Sequence, residues 1–70
     1  MMNNWNKVTI EQLRPFDVVI HASDAWVIQN IRRQDGYQYF NATRIDDGHR
    51  TKWTFHPHSF GYLMERLERP

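Results

Sequence analysis

The sequence predicts a mainly β domain: a curled antiparallel sheet of four to five strands with a short C-terminal helix. Three observations carry that prediction. β-branched and aromatic residues gather in short runs. Turn signals separate those runs at intervals of about 12 residues, the rhythm of a small all-β fold. Apolar spacing changes from alternation to a helical period only in the tail. The chain has 70 residues, enough for one domain spanning 1–70. Its 3 Trp, 3 Tyr and 4 Phe are residues that a disordered chain of low hydropathy lacks. Cysteine is absent, so no disulfide frames the fold and no thiolate serves as nucleophile or metal ligand.

The elements can be taken in chain order. Residues 3–7 are polar except for Trp5, and residues 1–7 are expected to be flexible. Thr9-Ile10-Glu11-Gln12 fits a capping box. Pro15 ends any helix begun there, so one helical turn is expected from about 10 to 14. Asp17 to His21 is rich in β-branched residues and reads as a strand. Ala22-Ser23-Asp24 is a short turn. Ala25 to Arg33 reads as a second strand. Asp35-Gly36 is a type I′ hairpin signal, because that turn needs positive φ. Tyr37 to Ile45 is a third strand. Asp46-Asp47-Gly48 is a further turn. His49 to Phe55 is a fourth strand, closed by Pro57. In the tail, Phe60, Leu63, Met64 and Leu67 share one helical face, with Ser59 as N-cap. They predict a helix over 59–68, although Gly61 weakens it by roughly 1 kcal/mol. The rival is a fifth strand over 60–64, which would close a barrel.

Turn lengths assign the faces. A two-residue loop at Asp35-Gly36 pairs Gln34 with Tyr37. A three-residue loop at Asp46-Asp47-Gly48 pairs Ile45 with His49. One face then carries Trp26, Ile28, Tyr37, Tyr39, Ile45, Trp53 and Phe55, and is the expected core. The other sets Arg33, Arg44, Arg50 and Lys52 around Val27, Ile31 and Phe40. An antiparallel sheet normally keeps one face wet, so those apolar residues need a cover or a partner. The tail face of Phe60, Leu63, Met64 and Leu67 is the nearest intramolecular cover.

The stretch Leu13-Arg14-Pro15-Phe16-Asp17-Val18-Val19 resembles the lead-in of small SH3-like β-barrel domains, including those of phage and mobile-element proteins. There a short turn of the Leu-Arg/Lys-Pro-Gly-Asp type runs into the first strand. Leu13, Arg14, Pro15, Asp17 and Val19 match, and Phe16 stands where glycine is usual. The resemblance spans residues 8–19. It implies a small SH3-like barrel, a fold mostly used for binding. It assigns no functional residue.

Chemistry-bearing motifs are sparse. His56-Pro57-His58, with His49 and His21, lacks the spacing of a zinc site, so no metal and no other cofactor is expected. The Asp-Gly pairs are what turns require. No phosphate-cradling glycine loop and no Ser-His-acid arrangement is present. A domain this small has little room for the concave pocket that enzymes use, so no catalysis is expected. The expected function is non-catalytic binding of a protein partner, as a small modulator or inhibitor of a larger complex. Arg33, Phe40, Arg44, Arg50 and Lys52 form the expected partner-binding patch. The alternative is a nucleic-acid-binding small barrel. Segment 25–56 carries five cations against Asp35, Asp46 and Asp47, although the whole chain is only +1. The tail face of Phe60, Leu63, Met64 and Leu67 also suits a homodimer. With no basic-apolar leader and no long apolar run, no membrane contact and a cytoplasmic location are expected.

Overall fold

The computed structural model describes residues 4–59 and 61–68. Among these residues six strands make one sheet: β1 (Trp5–Thr9), β2 (Val18–His21), β3 (Asp24–Gln34), β4 (Tyr37–Arg44), β5 (Arg50–Phe55) and β6 (Leu63–Leu67). Their order is β1-β6-β2-β3-β4-β5, and every neighbouring pair is antiparallel. The mainly β expectation holds. The strand count is six rather than four or five. The sheet is open, with β1 and β5 as its edges, so it does not close into a barrel. Among the described residues no helix is long and apolar enough to cross a membrane.

Both ends differ from the expectation. The C-terminal helix over 59–68 is absent: Pro57–Ser59 is a 3-10 turn and the chain then enters β6. A strand between β1 and β2 pairs its backbone on both sides, with Met64 opposite Val8 and Glu65 opposite Ile20. That two-sided pairing outweighs a helical apolar period interrupted by Gly61. The tail side chains therefore alternate. Met64 is buried, Leu63 is exposed and Leu67 is half-buried, so they form no single face for tail packing or a homodimer. Phe60 lies outside the described residues. At the other end, Trp5–Lys7 belong to β1 and not to a flexible lead. An edge strand tolerates polar Asn6 and Lys7 toward water while Val8 enters the core.

The connection from β1 to β2 is tightly bonded. Ile10–Gln12 form a 3-10 turn, shorter than the expected 10–14. The capping box is present: Gln12 Oε1 accepts the Thr9 backbone N–H at 2.8 Å. Pro15 and Phe16 occupy the centre of a turn in which Asp17 N–H donates to Arg14 O at 3.1 Å. Phe16 has φ 70, the third position of a type II turn, where glycine is normal. A side chain with a Cβ costs about 1–2 kcal/mol there. Asp17 is buried, and its Oδ2 accepts Arg14 N–H at 2.7 Å and lies 3.4 Å from Arg66 Nη1.

Registers decide which side chains form the core. At the β3–β4 hairpin, Asp35 and Gly36 have φ 54 and 81, and Gln34 pairs with Tyr37 as predicted. The pairing then slips by one residue between Gln29 and Arg32, so Gln29 meets Asn41 and Ile28 meets Ala42. Asn30, at φ 52, is the inserted bulge residue. The β4–β5 loop also differs by one: Arg44 N–H donates to His49 O at 2.8 Å, leaving the four residues 45–48 as the loop. Both slips shift β4 by one residue in the same sense, so they cancel between β3 and β5. β3 and β5 keep their expected faces at Trp26, Ile28, Trp53 and Phe55, while β4 and the part of β3 beyond the bulge turn over. Phe40 and Ala42 therefore point inward, and Tyr37 and Tyr39 point outward.

The core consists of Val8, Ile10, Leu13, Val19, Trp26, Ile28, Phe40, Ala42 and Met64. Ile31, Trp53 and Phe55 pack against it from partly exposed positions. Aromatic edges meet faces across it: Trp26–Trp53 at 5.3 Å and Phe40–Phe55 at 5.6 Å. Such pairs add roughly 0.5–1.5 kcal/mol each beyond burial. This aromatic lining supplies what a chain without disulfides needs.

Candidate ligand-binding face

The outward side of β3–β5 is built in rows, because paired residues stand side by side across the strands. One row runs Val27–Thr43–Arg50 and the next Gln29–Asn41–Lys52. Beyond the bulge the row is Arg32–Tyr39–Thr54. Tyr37 and Tyr39 lie at 6.5 Å with their planes 30° apart. The Arg32 guanidinium carbon is 5.9 Å from the centre of the Tyr39 ring. His56 meets Tyr37 edge to face at 5.0 Å. Where the bulge bends β3, the face dips into a shallow depression of about 330 Å³. Gln29, Asn30, Asn41, Thr43, Arg50 and Lys52 line it.

The charge on this face is of one sign. None of its strand positions is an Asp or Glu. Among the described residues, Arg32, Arg50 and Lys52 make no ion pair. The remaining arginines near the sheet are engaged. Arg33 donates to Gln38 at 2.9 Å and lies 3.7 Å from Glu11. Arg44 grips Asp47 through Nε at 2.9 Å and Nη2 at 2.7 Å, and reaches Asp24 at 3.5 Å. Its guanidinium also lies 5.4 Å from the Trp26 ring. The Arg44 hydrogen bonds, then the His49 N–H, hold the Asp47 carboxyl well below the usual carboxylate range.

The five residues of the expected partner-binding patch therefore separate. Arg50 and Lys52 stay together on the outward face. Phe40 is 1 % exposed and belongs to the core. Arg33 sits past the bulge beside Gln38, and Arg44 is locked to its own loop. Arg32, Tyr37, Tyr39, Gln29 and Asn41 take their places. Their sequence signal is the break in alternation at Ile28-Gln29-Asn30-Ile31. Two inward apolar residues three apart in a strand require an extra residue between them, and Asn is among the few that tolerate positive φ.

The histidines are dispersed. His21 packs on Trp53 at 4.9 Å, and His56 meets His58 at 4.6 Å. Among the described residues no three of His, Asp or Glu converge as a metal-binding group. The outward face joins three functions: cations for an anionic chain, tyrosine rings for stacking, and side-chain amides that donate and accept hydrogen bonds. Comparison with protein-family models, curated proteins and solved structures returned no match to this chain.

Proposed function

We propose that the chain is a non-catalytic binding module that holds single-stranded nucleic acid across the outward face of β3–β5. One observation carries this reading: Arg50 and Lys52 line a polar depression and, with Arg32 beside Tyr39 in the row beyond the bulge, make no ion pair among the described residues. Cations track the phosphates, rings stack with bases, and amides meet base edges. The sequence alone favours a protein partner, with Phe40 as its anchor. With Phe40 in the core, the face lacks the large apolar centre on which protein hot spots are built. Its centre is Gln29, Asn41 and Lys52 instead. The likeness of residues 8–19 to the lead-in of small SH3-like domains supports a binding role, since such domains are mostly binding modules.

The test is fluorescence anisotropy with a labelled single-stranded oligonucleotide over a salt series. Three phosphate contacts on a single strand predict a log–log salt slope of about −2. Lys52→Ala with Arg50→Ala should bring the slope to about −0.7 while the thermal midpoint stays unchanged. No binding at low salt, or binding without salt dependence, refutes the reading. Equal affinity for a duplex of the same sequence refutes the single-strand preference.

A further inference from the structure

The turn that leads into β2 carries a side chain its backbone does not favour. Phe16 N–H donates to Ile28 O at 2.6 Å, and Ile28 N–H donates to Asp17 O at 2.9 Å. Phe16 and Asp17 thus oppose one residue of β3, a bulge whose first residue is normally glycine at positive φ. Phe16 occupies that place with φ 70. The turn has no slack to relieve it. Pro15 fixes its first half, and the Asp17 carboxylate is tied to Arg14 N–H at 2.7 Å. Arg66 donates to Gln12 O at 3.0 Å and lies beside the same carboxylate.

The phenyl ring contributes little to the core in return. Phe16 is 67 % exposed, while its neighbours Asp17 and Ile28 are 1 % and 0 %. A bulky residue whose bonded backbone holds positive φ while its ring stands in water is a conformational outlier of the kind found at binding sites. Its place in the sheet is specific. Ile28 is followed by Gln29, the first member of the Gln29–Asn41–Lys52 row. Phe16 lies opposite Ile28, one residue from that row and just before β2, and Lys52 stands on the edge strand β5. Three strand spacings separate them, about 14 Å.

We infer that Phe16 is a stacking platform, the ring on which one unpaired base rests when a single strand crosses the Gln29–Asn41–Lys52 row. This inference rests on the proposed nucleic-acid reading of that face. A ring carried on a backbone already fixed before binding loses no backbone freedom on contact, which favours affinity.

The experiment pairs a melt with a binding assay on the same variants. The probe is a labelled single-stranded oligonucleotide of mixed sequence at low salt. Phe16→Gly should melt above the parent chain, because glycine suits the turn. It should nonetheless bind about 5- to 150-fold more weakly, the range expected for one lost stacking contact. Its salt slope should match the parent's, since no phosphate contact is removed. Phe16→Trp should bind within twofold of the parent. If the parent binds and Phe16→Gly binds equally well, the stacking role is overturned and the sheet-face reading stands. If the parent does not bind, both are overturned. A Phe16→Gly chain that melts below the parent overturns the premise that the ring is held at a cost.

Discussion

Adjacent residues on β4 give the sharpest check on how this sheet is registered. Phe40 and Tyr39 are both aromatic, but they lie on opposite faces. Phe40 is 1 % exposed and packs edge to face on Phe55 at 5.6 Å. It also pairs with Trp53 on β5. Phe40→Ala removes a buried ring and leaves a cavity that the sheet refills only in part, a loss of about 3–5 kcal/mol. A chain of this length has a total stability of roughly 4–10 kcal/mol. The variant should therefore be marginal or unfolded. With a urea slope of about 1 kcal/mol per molar, its midpoint falls by about 3 M or more. Tyr39→Ala removes a half-buried ring whose specific contacts are Arg32 at 5.9 Å and Tyr37 at 6.5 Å. Its cost should be near 1 kcal/mol, the size of an exposed cation–π contact plus partial burial. Tryptophan fluorescence during urea unfolding reads both variants. The unbulged register exchanges the two residues between faces. If Tyr39→Ala costs more than Phe40→Ala, β4 faces the other way and the Asn30 bulge is refuted.

The turns supply two further predictions. Ala22 and Ser23 have φ 53 and 68 between the paired residues His21 and Asp24, so they fill a type I′ turn without the residues it favours. The double change Ala22→Asn, Ser23→Gly should stabilise the domain by about 1 kcal/mol and raise its melting midpoint by about 4–8 °C; an unchanged or lower midpoint refutes the assignment. The β4–β5 loop should also resist acid. The Arg44 guanidinium, and then the His49 N–H, lower the folded pKa of Asp47, so its contribution is present above the ordinary carboxylate pKa and is lost only as pH falls through the depressed value. The side-chain carboxyl carbon shift of Asp47 should therefore hold constant down to about pH 3; a transition centred near the ordinary carboxylate value of about 3.9 refutes the contact.

The parts of the fold legible in the sequence are those set by local chemistry. Asp35-Gly36 fixed one hairpin, and the runs around Val19, Trp26 and Trp53 marked their strands. The capping residues Thr9 and Gln12 met as their spacing required. The illegible parts depended on partners distant in sequence. The tail satisfies a helical period and a strand equally well, and pairing with both β1 and β2 decided between them. β1 lacks any local strand signal beyond Trp5 and Val8, and it exists because β6 offers it an edge. The candidate face is half legible. Arg50 and Lys52 were placed together, but a one-residue bulge and a one-residue longer loop turned β4 over. Because side chains alternate with period two, a slip of one residue exchanges a whole strand between core and solvent.

That bulge also accounts for the charge pattern. In an unbroken β3, Trp26, Ile28 and Arg32 share one face, and Ile31 with Arg33 share the other. The extra residue at Asn30 brings Ile31 to the core and places Arg33 beside Gln38, within reach of Glu11. Arg32 is sent outward, to the side that Arg50 and Lys52 already occupy. The sorting is by sign as well as by polarity: arginines that reach carboxylates are neutralised at the rim, and those left on the open rows are not. A formal charge of +1 for the whole chain is therefore a poor guide to its surface. At physiological salt, charges act over about 8 Å. Arg50 and Lys52 are two residues apart on one strand, about 7 Å, so they act together. The acidic turns lie at the strand ends, beyond the outermost of these rows. A near-neutral chain can thus present a cationic face whose strength is set by register rather than by composition.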